Sequence, residues 1–207
     1  MLGIQNYKPL YLSDPDIFCK KFHIQLNELI GKSIDRFWIM WDDKLNEWNP
    51  DGPVIVEIGG NNLEFSAYNL DEFSLTVNAI NLDDELDWYE MGNELPLSWK
   101  ENGKTELIQL LNRPIKEVNI LAYNFTSEES NCQVDYKEVD ELYRNGFVLH
   151  GLEFILCKEN DSDKENYFSI YNALDENGLK NREVNDYNGL KKIQITSYNI
   201  IYSKLGD

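Results

Sequence analysis

Two acidic residues sit in matching tripeptides, Glu64 in Leu63-Glu64-Phe65 and Glu153 in Leu152-Glu153-Phe154. Two carboxylates on separate strands suffice for general acid and base work, as in glycoside hydrolysis, and such a pair leaves no local motif. Each Glu lies between two apolar neighbours. Strand alternation therefore turns it away from the face that carries Leu63 and Phe65, or Leu152 and Phe154, and the expectation is a solvated strand position.

Four further carboxylates recur in parallel settings. Asp83 and Asp84 follow the segment that begins at Asn78-Ala79, and Asp175 and Glu176 follow Asn172-Ala173. Asn and Asp side chains commonly terminate strands by bonding nearby backbone, so a shared turn accounts for both places. Their alternative role is a paired acidic rim for a basic partner. The tryptophans all lie before residue 105, and among them Trp38, with Met40, lies on the strand face opposite Phe37, Ile39 and Trp41. That second face is either covered within the fold or presented to a partner, and Trp38 and Met40 join the acidic turns as candidate partner-binding residues.

No metal or cofactor is expected. His23 and His150 are far apart, neither has a Cys or acidic ligand at metal spacing, and Cys19, Cys132 and Cys157 form no Cys-x-x-Cys pair. An odd, scattered set of thiols also argues against a disulfide framework. The run from Glu159 to Asn166 alternates oxygen ligands, but it lacks the glycine and the distal Glu of a calcium loop, so a polar hairpin tip is the expectation. Gly59-Gly60 is not followed by the helix that phosphate binding needs, and no nucleophile elbow or dinucleotide fingerprint occurs. No catalytic residue is assigned.

The elements that must position these groups can be read from periodicity. Ser13-Asp14-Pro15-Asp16 starts a helix, along which Phe18, Phe22, Leu26, Leu29 and Ile30 recur at helical spacing until Gly31. Ile34 to Trp41 reads as a strand. Val54 to Ile58 and Leu63 to Ala67 form a hairpin about Gly59-Gly60-Asn61-Asn62, and Phe73 to Val77 is a further strand. The second half follows the same order. Thr105 to Leu111 is a short helix whose end, Leu110-Leu111-Asn112-Arg113-Pro114-Ile115, aligns with Leu29-Ile30-Gly31-Lys32-Ser33-Ile34. Val118, Ile120 and Ala122 then fall in register with Phe37, Ile39 and Trp41. The second Leu-Glu-Phe and Phe168-Ser169-Ile170 continue the parallel with Phe73-Ser74-Leu75. The last strand runs from Ile193 and Ile195 towards Tyr202.

The expected architecture is α+β, mostly antiparallel sheet with few helices, built from two divergent helix-plus-strands modules packed as one body over residues 1–207. The first module spans residues 13–83, a connector containing Trp88 and Trp99 spans 84–104, the second module spans 105–179, and a C-terminal extension spans 180–207.

Composition narrows the partner. Lys and Arg total 19 against 37 Asp and Glu, a formal charge of -18 in 207 residues. Such a field repels phosphate backbones and anionic lipid and attracts basic proteins, although it also serves solubility. A hydrophobic share of 42% and an aromatic share of 13% indicate a folded chain. The N-terminus has no secretory pattern, and the expected location is the cytoplasm. The sequence thus points to a non-catalytic cytosolic protein that binds a basic protein, in the manner of compact acidic inhibitors that neutralise a basic toxin or nuclease. A hydrolase using scattered Asp and Glu, and a structural or regulatory subunit, are the alternatives.

Overall fold

A computed structural model of the chain describes residues 3–87, 90–124, 146–160, 164–185 and 189–196, and the backbone of 201–204. The elements are α1 (Pro15–Asn27), β1 (Ile34–Asp42), β2 (Glu47–Trp48), β3 (Val54–Ile58), β4 (Asn61–Tyr68), β5 (Glu72–Val77), β6 (Leu97–Glu101), α2 (Thr105–Ile108), β7 (Ile115–Asn124), β8 (Phe147–Leu156), β9 (Asn166–Asn172), β10 (Asn177–Lys180), β11 (Leu190–Gln194) and β12 (Ile201–Lys204). The protein is mostly antiparallel sheet with few helices, as the alternation of apolar and polar residues requires.

Helix α1 begins where capping chemistry places it. The Asp14 carboxylate accepts from the N–H groups of Asp16 at 2.7 Å and Ile17 at 3.0 Å, and Pro15 occupies the first turn. Its apolar stripe, Phe18, Cys19, Phe22 and Leu26, is buried. Gly31 leaves the helix region with a φ of 85°, a conformation that suits a residue without Cβ. Helix α2 is shorter than its apolar pattern suggests. It closes at Ile108, and turns carry Leu110, also buried, towards β7.

The strands form two six-stranded sheets. In the first, β1 is flanked by β6 on one side and by β2 and β3 on the other, and β4 and β5 follow outward from β3. In the second the order is β10-β9-β8-β7-β11-β12, so the single terminal strand expected from the sequence is two strands. The inner faces meet in one apolar core. Phe37 lies edge-on to Phe168 with ring centroids 5.7 Å apart, Phe65 meets Phe154 at 6.4 Å, and α1 packs Phe18 against Phe73 at 6.5 Å. Buried apolar surface of this extent is the main favourable term in folding, and each of these rings contributes roughly 3 kcal/mol by burial.

The first strands of the two halves meet at a reciprocal contact. Gly31 N–H donates to the carbonyl of Ile115 at 2.8 Å, Asn112 N–H donates to that of Ile34 at 2.8 Å, and Ser33 bridges Pro114 between them. Both β1 and β7 carry a bulge just after this point, where the register shifts between Ile34 and Arg36 and between Ile115 and Glu117. The Leu-Glu-Phe segments do not share this equivalence. Leu63-Glu64-Phe65 lies in β4, two strands from β1, whereas Leu152-Glu153-Phe154 lies in β8, directly beside β7. Even their neighbours are out of step, since Phe65 faces Leu75 but Phe154 faces Phe168. Two identical tripeptides that each turn Leu and Phe inward satisfy the same alternation without occupying the same place.

Candidate functional site

Glu64 and Glu153 are both 0% exposed, which overturns the expectation of solvated positions. Alternation does turn them away from the inner core, but the outer face of each sheet is itself covered. Over the first sheet lies a second apolar cluster of Ile4, Tyr7, Trp38, Met40, Ile55 and Ile80. On the second, Val184 packs against Leu121, Tyr171 and Leu190 of the outer face. Because the neighbours of Glu64 and Glu153 pack into the shared inner core, the two carboxylates point outward on opposite sides of the molecule and do not converge as an acid and base pair.

Each carboxylate is instead fully engaged. Glu64 accepts from the Thr76 hydroxyl at 2.7 Å and from the N–H groups of Ala79 at 2.8 Å and Ile80 at 3.3 Å, fixing the chain as it leaves β5 and crosses the outer face. Burial raises its pKa above the usual carboxylate range, and these hydrogen bonds oppose the rise. Tyr7 stands beside it, with its phenol pushed well above the ordinary value by burial and then by Tyr11. Glu153 accepts from the Lys192 ammonium at 2.7 Å and from Val184 N–H at 3.0 Å, with the Asn119 amide at 3.4 Å. Lys192 also donates to Glu183 at 2.8 Å and lies 5.7 Å from the ring centre of Tyr167, whose pKa is pushed up to about 12 by burial and then by Glu183 and Glu153.

His150 is 6% exposed, between Tyr123 and Tyr171 on the outer face of β8. Burial, and secondarily Lys180, pulls its pKa down to about 4. The folded state thus holds a neutral imidazole. A depressed histidine pKa contributes stability above the unfolded value, near 6.5, and that contribution is lost as pH falls towards 4. Urea titrations from pH 7 to pH 4 should show His150→Gln with a shallower fall in stability than wild type, by about 2 to 3 kcal/mol. Equal slopes would place the acid sensitivity elsewhere.

Trp38 and Met40 are 7% and 0% exposed. They are core residues of the outer cluster and present no face to a partner, because residues 3–7, 79–82 and β6 close over them. The acidic turns are surface features, and the structure separates them. Asp84 accepts from the Asn81 amide at 2.8 Å, and Asn81 in turn accepts from Asp83 N–H at 3.3 Å. Asp175, with a φ of 82°, accepts from Asn69 N–H at 2.6 Å and donates its own N–H to Asn172 at 2.9 Å. Its charge also helps raise the pKa of Asp51, where burial is the larger cause. Glu176 accepts through its backbone carbonyl from Ala173 N–H at 2.7 Å. Among the described residues nothing joins the Asp83 and Asp84 pair to the Asp175 and Glu176 pair. The second pair closes a turn packed on β4 and β5, whereas the first borders open surface.

That surface holds two adjoining grooves. One, of about 430 Å³, is lined by Gly3, Ile4, Gln5, Glu85, Asp87 and Glu90. The other, of about 400 Å³, is lined by Leu82, Leu86, Pro96, Leu97 and Trp99 together with Asp84, Glu85, Gly92 and Ser98. Compared with known protein families, curated proteins and solved structures, the chain matches none. The acidic groove residues Asp84, Glu85, Asp87 and Glu90 carried a sequence signal: with Asp83 and Glu94 they make six carboxylates that precede Lys100 without an intervening Lys or Arg. The Lys192 interaction carried none, since its partners come from distant strands.

The described residues include no group of three or more His, Cys, Asp or Glu placed to hold a metal ion. In the run once compared with a calcium loop, residues 161–163 lie outside the described residues, Glu159 pairs with Arg113, and Glu165 lies 3.3 Å from both Lys116 and Lys158. Cys19 is buried and Cys157 partly buried, both as free thiols, and burial pushes the Cys19 thiol up. Cys132 and Trp88 lie outside the described residues. No described helix is long and apolar enough to cross a membrane.

Proposed function

We propose that this is a non-catalytic cytosolic binding protein whose partner is a basic protein, an inhibitor of the immunity type, and that the partner is taken at the connector between the two halves. The observation that carries this reading is the set of carboxylates Asp84, Glu85, Asp87 and Glu90 lining two open grooves, in a chain whose formal charge is -18. A cleft lined by one sign of charge raises the encounter rate with the opposite sign, and apolar lining residues supply the contact that holds the complex. The hydrolase alternative loses its natural pair, because Glu64 and Glu153 face away from each other and are saturated with donors.

We further infer that the chain is two divergent copies of one module. Support comes from the reciprocal contact at Ser33 and Pro114 and from the winding order, in which β1-β3-β4-β5 and β7-β8-β9-β10 are each completed by a strand, β6 or β11, returning beside the first.

Affinity capture from the host, with the intact chain as bait, tests the reading. A basic protein should be retained, and its association rate should fall by about tenfold or more between low and physiological salt. Replacing Asp83 and Asp84 with Asn should slow association and leave stability within about 1 kcal/mol, as expected for exposed charges. Capture of a neutral or acidic protein, or a salt-independent rate, would end the proposal.

A further inference from the structure

The second groove runs along an unpaired sheet edge. Two hydrogen bonds bracket the pairing of β1 with β6: Asp43 N–H to the Pro96 carbonyl at 3.0 Å and Asn102 N–H to the Phe37 carbonyl at 2.7 Å. In an antiparallel ladder bonded pairs alternate, so Ser98 and Lys100 direct their backbone groups at β1, whereas Leu97, Trp99 and Glu101 direct theirs outward. Among the described residues nothing bonds those outward groups. The edge of β5 differs, since Leu12 and Phe73 exchange backbone hydrogen bonds there, at 3.0 and 3.1 Å.

The same three residues turn their side chains to the outer face. Leu97 is opposite Asp42, Trp99 opposite Met40 and Glu101 opposite Trp38, and both Leu97 and Trp99 line the groove with Asp84 and Glu85. An exposed row of N–H and C=O groups is a template for another strand. Here that template lies beside a groove lined by Leu97, Trp99, Asp84 and Glu85, and the two features select the same kind of ligand. Resting on the reading above, we propose that β6 is the docking edge: an extended basic segment of the partner protein adds as an antiparallel strand along Leu97–Glu101. Every second side chain of that segment, a Lys or Arg, shares the outer face with Leu97, Trp99 and Glu101, and the one opposite Trp99 lies over its ring with its charged end at Asp84 and Glu85. Main-chain hydrogen bonds hold the segment, and the groove selects alternate basic residues. The antiparallel sense follows from the rest of the sheet and from the better geometry of antiparallel bonds.

The test uses the intact protein and a short peptide of alternating Lys and Thr. In antiparallel addition the residues opposite Leu97, Trp99 and Glu101 share their face and point their own N–H groups at β6, so these are the Lys positions. Methylating the backbone nitrogen at every Lys should weaken binding by about tenfold or more, whereas methylating it at every Thr should leave binding within about threefold. Glu101→Pro, which removes an outward N–H at an edge position tolerant of proline, should weaken binding similarly with the far-UV spectrum unchanged. Asp84→Asn with Glu85→Gln should remove most of the salt dependence. Equal affinity of the two methylated peptides, a larger loss from methylation at Thr, or no binding of the parent peptide overturns the docking edge. A basic partner that is captured but binds Glu101→Pro as it binds wild type overturns it too, and leaves the reading of a basic partner standing. Failure to capture any basic protein overturns that reading itself.

Discussion

Replacing Lys192 with Met should destabilise the protein by about 3 to 5 kcal/mol, the cost of leaving a buried charge without its partner. Lys192 stands 2.7 Å from Glu153, which is fully buried, and the substitution keeps the side-chain bulk while removing the ammonium. Urea unfolding at pH 7 measures the loss. Adding Glu153→Gln to the same chain should recover at least half of it, because a neutral amide in that position still accepts from Val184 N–H. If Lys192→Met alone costs less than about 1 kcal/mol, water reaches the site and the ion pair is not the structural element described above. The position matters beyond stability, since Val184 and the residues around it form the cover over the second sheet's outer face.

Gly151→Ala should be equally severe, with a loss of about 3 kcal/mol or more and a corresponding fall in Tm. Gly151 sits at φ 153° in β8 beside a bulge, where the register shifts between Leu121 and Ala122, so that both His150 and Gly151 lie on the outer face. A Cβ there would strike the backbone carbonyl oxygen of Ile170 and lie 2.6 Å from the Cα of Tyr171. Backbone cannot rotate aside as a side chain can, so β9 would have to separate from β8. Thermal unfolding measures the effect. A Tm unchanged within about 2 °C would mean that the bulge shifts to another residue. Gly178→Ala is a useful comparison, because the added atom there meets the ring of Tyr171, a side chain able to move.

Much of this molecule could be read from the order of its residues. The helix start at Asp14 and Pro15, the strand parity of Phe37, Ile39 and Trp41 and the hairpin at Gly59-Gly60 are local properties. Capping, alternation and positive φ are decided within a few residues of chain. The charge of -18 and the run of carboxylates after Asn81 were equally plain.

The second face of each sheet was decided by the tertiary structure. Alternation states that Glu64 and Trp38 face away from the inner core, but it cannot state whether anything covers that side. Residues 3–7 and 79–82 cover one sheet and the segment at Val184 the other, so two carboxylates expected in water became buried acceptors, and Trp38 and Met40, which the pattern left open between burial and display, are core. The likeness of the two Leu-Glu-Phe tripeptides misled for a related reason: strands with the same alternation are interchangeable in pattern, and pairing alone distinguishes β4 from β8. The open edge of β6 is likewise a matter of which strands are neighbours. Hydrogen bonding within a strand pair consumes every second backbone group, and whether the remainder meets another strand or solvent depends on chain that is distant in sequence.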